Sequence, residues 1–209
     1  MATFRKNLRQ VLITLIRFSR VARLHHIWSR LYHDSKRPAF RSLGASTVFM
    51  EPFYCGNPQY IDIGADCKIG PMCDFGVVIP SSGRGNYTGR ISLGSNVFIT
   101  RSCQIYSAVS VEIGDEAMIA GNVFICDYSH GIGSMEKGYW HQDFVDVRPI
   151  KIGRSAWVGQ SVVVMPGVTI GDFAVVGANS VVAHSLPARC IAQGSPARVI
   201  EFLDGADQS

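Results

Sequence analysis

Between Ile152 and Val182 the aliphatic residues fall on one comb: Ile152, Val158, Val164, Ile170, Val176 and Val182, each six positions after the last. The residue after each tooth is mostly small: Gly153, Gly159, Gly171, Gly177 and Ala183, with Met165 the exception. The same comb runs earlier through Leu93, Ile99 and Ile105, slips by two, and resumes at Ile113, Ile119 and Ile125. It is visible again at Ile61/Ile63, Ile69 and Phe75. A helix repeats its apolar residues about every 3.6 positions and a half-buried strand every two. Six is compatible with strands, but a glycine every sixth residue would break an ordinary long one. The spacing therefore predicts a short strand per hexapeptide and then a turn, with three strands making a triangular coil of about eighteen residues. The aliphatics point inward and stack, and the small neighbour lets the chain bend at the corner. Each coil then buries its inner face only against the coils beside it, which is a solenoid.

Over about residues 60–203 this pattern resembles the left-handed parallel β-helix of the hexapeptide-repeat acyltransferases. Within that family it is similar to the sugar O-acetyltransferases and to the branch acting on bacterial surface polysaccharides. The ending IAQGSPARVIEF, residues 191–202, resembles the segment that closes the β-helix in sugar acetyltransferases. The hand is implied by the resemblance and is an exception to the right-handed crossover rule. The resemblance also implies a homotrimer with active sites between subunits. The expected fold is an all-β solenoid: an N-terminal α-helical segment over 1–45, the β-helix over 46–203 with a protruding corner loop, and a C-terminal tail over 204–209.

Solenoids accept insertions at their corners, and long ones tend to carry function. Two interrupt this comb. One is SSGRGNYTGR, Ser81 to Arg90; the other separates Ile125 from Ile152 and occupies residues 127–149, beginning DYSHG. In the resembling enzymes such a loop carries the catalytic histidine, and His130 falls on that position. A neutral imidazole within reach of a sugar hydroxyl can take its proton as attack develops. The thioester donor is already activated, so one histidine suffices for direct transfer. Asp127 has two readings, orienting the imidazole or binding the acceptor on one side, and satisfying turn amides on the other. Tyr128, Ser129 and Trp140 are candidate acceptor contacts, and Tyr87, Tyr106 and Tyr139 could add stacking faces for a larger carbohydrate.

The donor implied by the resemblance is acetyl-CoA, lying along the C-terminal coils, with no metal. Trp157 in SAWVGQ matches the aromatic beside the pantetheine end. Gln160 and Ala178 match pantetheine contacts, and Gly159 and Gly177 would let the ligand approach the main chain. Arg198 matches a basic residue facing the nucleotide phosphates. Departures stand beside these matches: a threonine–lysine pair of the family is Ala183–His184 here, and a second basic position is Glu201. On the acceptor side the family's Asn and Asp fall at Thr100 and Ala108.

Composition fits a globular protein with a sizeable core, 47% hydrophobic and 17% charged. No apolar run reaches the roughly 18 residues of a membrane span, and the start lacks a secretory signal. The six cysteines, 55, 67, 73, 103, 126 and 190, form no CxxC pair. They read as small buried hydrophobes of a reduced compartment, so a cytoplasmic location is expected. The net charge of +4 hides an asymmetry: residues 1–41 hold ten Lys/Arg and one acid, the rest ten Lys/Arg and fifteen acids. Phe4, Leu8, Val11, Leu12, Leu15 and Phe18 recur at helical spacing. Such a basic amphipathic helix either packs on the protein or contacts the inner membrane face peripherally. The acidic remainder, with no binding motif, argues against nucleic acid.

The function expected is acetyl-CoA-dependent O-acetylation of a carbohydrate, of a bacterial capsule, O-antigen or exopolysaccharide. The alternative acceptor is the amine of an amino-sugar nucleotide, against which the absence of an extra nucleotide-binding domain counts. A zinc hydratase of the γ-carbonic-anhydrase type would need three converging histidines, and a non-catalytic scaffold would not need His130 and Trp157.

Overall fold

A computed structural model describes residues 39–80 and 85–203. The expected N-terminal helix, the basic segment and residues 204–209 lie outside the described residues, apart from Ala39 to Ala45. Ser42–Leu43, expected at the end of the helical segment, is instead the first strand of the solenoid. The β-helix therefore starts a few residues before the expected boundary at 46, and a full coil before the first tooth of the comb at Ile61.

Three parallel sheets form the faces of the prism. The first face stacks strands Ser42–Leu43, Ile61–Ile63, Ile91–Leu93, Val111–Ile113, Ile150–Ile152 and Thr169–Ile170. The second stacks Val48–Phe49, Lys68–Ile69, Phe98–Ile99, Met118–Ile119, Trp157–Val158 and Val175–Val176, and ends in the antiparallel pair Cys190–Gly194 and Ala197–Phe202. The third stacks Phe53–Gly56, Cys73–Val77, Gln104–Ser107, Phe124–Cys126, Val163–Val164 and Val181–Val182. Register follows the comb: Ile113 pairs with Leu93 and Ile152, Ile119 with Ile99 and Val158, Ile125 with Ile105 and Val164. Every tooth from Ile61 to Val182 is buried. Five of the six cysteines are buried too, and Cys67, Cys73 and Cys103 fill inner positions beside the comb.

The glycines after the teeth do not make the bends. Gly114 and Gly153 have ordinary negative-region backbones, and the left-handed residues lie two positions on, at Glu116 (φ 60°) and Ser155 (φ 53°). The same holds at Asn96 and Phe173, each with φ 59°. Glycine is required for stacking instead. A Cβ on Gly114 would stand 2.7 Å from Arg154 N, and one on Gly153 2.6 Å from Asp172 N, in the next coil. The bend itself is held by backbone bonds between coils, such as Glu116 N–H to Ser95 O at 2.9 Å and Ser155 N–H to Asp115 O at 2.8 Å.

Candidate functional site

The 127–149 insertion leaves the corner between the third and first faces, and both its ends are fixed there. Asp127 is wholly buried. Its carboxylate accepts from Ser107 Oγ at 2.7 Å and from the backbone N–H groups of Ala108 (2.6 Å), Val109 (3.0 Å) and Ser110 (2.8 Å). Burial pushes this carboxyl above the usual range, and the four donors pull against that rise. Arg148 closes the insertion by donating its N–H to Asp127 O at 2.9 Å. Of the two readings open for Asp127, the geometry fills the turn. Both oxygens are engaged below the surface, so the carboxylate neither aims at the imidazole nor meets an acceptor. Ala108, at the position of the family's aspartate, is itself buried and is one of these donors.

Beyond Asp127 the insertion folds as a hairpin. Ser129–His130 pairs antiparallel with Phe144–Val145, and Gly131 N–H donates to Asp143 O at 3.0 Å. Phe144 is buried as the centre of a small aromatic cluster, with Tyr128 at 4.1 Å, His130 at 5.2 Å and Tyr87 at 6.0 Å between ring centroids. Tyr87 OH donates to Phe144 O at 3.4 Å, so the two insertions meet. Gln142, also buried, pins the hairpin's far end: its carbonyl accepts from Ser134 N–H, and its amide donates to Ser134 O and Lys137 O at 2.9 and 3.0 Å. His130 is exposed on this rigid support. Trp140, 68% exposed, lies nearly parallel to the imidazole, 22° between planes and 6.2 Å between centroids. Tyr128 and Ser129 are half-buried beside it. Phe144 is the supporting residue that sequence reasoning left without a role, and Tyr87, expected as a stacking face for carbohydrate, packs against it. The only signal was an isolated Phe-Val pair in a polar stretch.

The donor-side candidates spread over several edges. Trp157 stands on the outer side of the second face, 47% exposed, between Met118 and Val175 of adjacent strands. Gln160 and Ala178 are exposed and lie beyond it at the second-to-third corner, one coil apart. Gln160 lines a groove of about 400 Å³ with Gly70, Thr100 and Asn122. Ala183 and His184, both exposed, lie at the third-to-first corner, the corner from which His130 rises two coils earlier. Arg198 is exposed on the antiparallel strand closing the second face. The two glycines sit against the next coil. Gly159 is buried, and a Cβ there would stand 2.6 Å from Val176 O of the next coil. On Gly177 it would stand 3.0 Å from Gln193 Cβ. Coil stacking by itself favours a small residue at both positions. Within one chain His130 and Trp157 thus stand on different parts of the prism, with the third face between them. Among the described residues no three His, Cys, Asp or Glu side chains are grouped to hold a metal ion, and no helix is long and apolar enough to cross a membrane.

Comparison with known proteins shows the same division. Residues 90–126 match the model described as hexapeptide repeat of succinyl-transferase, and residues 149–184 match bacterial transferase hexapeptide (six repeats). The gap between the two matches is the hairpin insertion. The chain is 34% identical over 162 residues to a putative lipopolysaccharide biosynthesis O-acetyl transferase, WbbJ, of Escherichia coli K12, covering 72% of this chain and 76% of that one. It is 36% identical over 124 residues to galactoside O-acetyltransferase of the same organism, covering 59% of each chain. Among solved structures, AntD, an N-acyltransferase from Bacillus cereus in complex with dTDP and 3-hydroxybutyryl-CoA, matches with TM-score 0.70 at 21% identity, over 83% of this chain and 89% of that one. A maltose O-acetyltransferase from Clostridium difficile 630 matches with TM-score 0.56 at 27% identity, over 82% and 74%.

Proposed function

The chain belongs to the hexapeptide-repeat acyltransferases of the left-handed β-helix fold, and from that premise we propose that it transfers an acetyl group from acetyl-CoA to a hydroxyl of a surface-polysaccharide sugar, with His130 as general base. The observation that carries the reading is the display of His130. It is an exposed imidazole held by a hairpin whose own core is Phe144, at the one place where the family matches break. His130 takes the proton of the accepting hydroxyl as that oxygen attacks the thioester carbonyl, and returns it to the departing sulfur. Trp157, Gln160 and Ala178 would flank the pantetheine arm, and Arg198 would meet its phosphates.

Since His130 and Trp157 stand on different parts of one prism, the reading includes a homotrimer in which one copy supplies His130 and its neighbour Trp157. The test is a mixing experiment. His130→Ala and Trp157→Ala chains are each purified, then unfolded and refolded together. Activity recovered in the mixture well above either parent supports a shared site. A mixture no better than its parents rejects it.

A second reading, transfer to the amine of a nucleotide-linked amino sugar, draws support from AntD. That N-acyltransferase matches over 89% of its length, so a chain of this size needs no extra nucleotide-binding domain, and the size argument against an amine acceptor falls. AntD exceeds the maltose enzyme in TM-score, 0.70 against 0.56, while its sequence identity is lower, 21% against 27%. Product chemistry separates the two readings. A label released from the product by mild alkali is an ester; a label that persists is an amide, and makes the second reading the correct one.

A further inference from the structure

Beneath the hairpin, on the outer side of the third face, runs a groove of about 360 Å³. Its floor comes from the coils: Gly56 of strand Phe53–Gly56 and Gly76 of strand Cys73–Val77 stand in register with Tyr106. Its wall toward the active histidine comes from the insertion, as Tyr128, Phe144 and Trp140. Both glycines face outward here, unlike those buried between coils. Among the described residues a Cβ on Gly56 would meet only Gly76 Cα, at 3.9 Å, and none of them excludes a side chain there. A Cβ on Gly76 would press on the Tyr106 ring at 2.7 Å. The missing side chain at Gly56 therefore opens space that the coils do not need.

We propose that this groove holds the uncharged sugar rings adjoining the one that is acylated, so that the acceptor is a saccharide chain longer than a single unit. The inference rests on the carbohydrate reading of His130. From Gly56 through Gly76 to Tyr106 the floor of the groove crosses two inter-strand steps of about 4.8 Å each, and Tyr128, Phe144 and Trp140 of the insertion carry it further, room for more than one pyranose ring. It ends beside His130, since Trp140 lies 6.2 Å and Phe144 5.2 Å from the imidazole. Aromatic faces suit the C–H faces of sugar rings, and a few polar groups fix their orientation. Tyr106 OH donates to Asp74 Oδ2 at 2.8 Å, and burial together with that carboxylate pushes the phenol up to about 12, keeping it a neutral hydroxyl. Asn57 adds a second polar edge, held by its amide donating to Val77 O at 2.8 Å. Charge decides against a nucleotide in this place. Among the described residues lining the groove there is no lysine or arginine to meet a diphosphate, and its Tyr106 hydroxyl is hydrogen-bonded to a carboxylate, that of Asp74.

The test uses the full chain and fragments of the source organism's surface polysaccharide, freed of esters by mild alkali and sorted into one, two, and four or more sugar residues. Fragment binding is measured by calorimetry without donor, and transfer is measured separately from labelled acetyl-CoA. Affinity is expected to rise with fragment length, and Gly56→Val is expected to weaken the longest fragments about tenfold, with a progressively smaller loss on shorter ones. An unchanged affinity of Gly56→Val for coenzyme A shows that its fold is intact. Single sugars binding as well as chains, a Gly56→Val loss independent of length, no binding of any fragment, or displacement of fragments by dTDP overturns the groove. Length-dependent binding with no transfer instead leaves the groove standing and overturns the acetyl-transfer reading.

Discussion

In the coils from Ile150 to Val182 each residue is held by the coil above or below, eighteen positions away from Lys151 to Thr169 and 39 where Ile150 pairs with Val111 across the insertion. In the insertion over 127–149 it is held by partners across a hairpin or by a second insertion. Lys151 and Ile152 pair with Thr169 and Ile170, and Trp157 and Val158 with Val175 and Val176. Gln142 bonds residues eight and five positions away, while Tyr87 reaches Phe144 over 57 positions. The coils are repetitive and buried, and set the stability. The hairpin has one small aromatic centre and exposes His130 and Trp140. The lesson is a difference in support: side chains exposed on the hairpin can be changed with little effect on the coils, whereas a change inside a coil reaches the coils stacked on it.

The sharpest break in that division is His130→Ala. Transfer is expected to fall by roughly 10²- to 10⁴-fold, the contribution of a general base, with the melting temperature unmoved. Thiol release and thermal denaturation on one preparation check both halves. A turnover near that of the unsubstituted protein would remove His130 from the chemistry.

Next comes a matched pair of glycines. Gly114→Val drives a side chain into the backbone of Arg154 and is expected to cost about 3 kcal/mol or more. A Cβ on Gly133 in the hairpin meets none of the described residues within 4 Å, and Gly133→Val is expected to cost less than about 0.5 kcal/mol. Urea denaturation of the two variants measures the contrast, and equal losses would contradict it.

Asp127→Asn probes the junction. The amide keeps one acceptor and turns its NH₂ toward N–H donors, so a loss of about 1–3 kcal/mol is expected. It should register in stability, with acceptor KM little changed. A large KM effect at unchanged stability would return Asp127 to the acceptor site.

The smallest effect sought is Gln142→Ala. Losing a buried bridge inside the hairpin is expected to cost about 1 kcal/mol locally. It should appear as faster amide exchange at Ser134 and Gly131, while amides of the coil at Val158 and Val176 keep their protection. Uniform acceleration would mean that hairpin and coils open as one unit.

The comb was readable because coil stacking imposes a fixed period, and each tooth meets the same neighbours in the next coil. Leu93, Ile113 and Ile152 share one column for that reason. The position of the insertion came from where the comb stops, and the choice of His130 within it from the resemblance to the family. The reason for the corner glycines was not readable, because a bend and a close approach of coils select the same small residue; only the dihedrals separate them, and they put the bend at Glu116 and Ser155. Asp127 looked equally suited to chemistry and to a turn until the turn over Ser107 to Ser110 folded around its carboxylate. The pairing of Ser129–His130 with Phe144–Val145, the contact of Tyr87 with Phe144 and the groove over Gly56 arise only once coil closure brings distant segments together. Sequence by itself determined the stacked core, since that core depends on a local repeat. Tertiary structure decided the support of the histidine, since that depends on side chains meeting across insertions that carry no repeat.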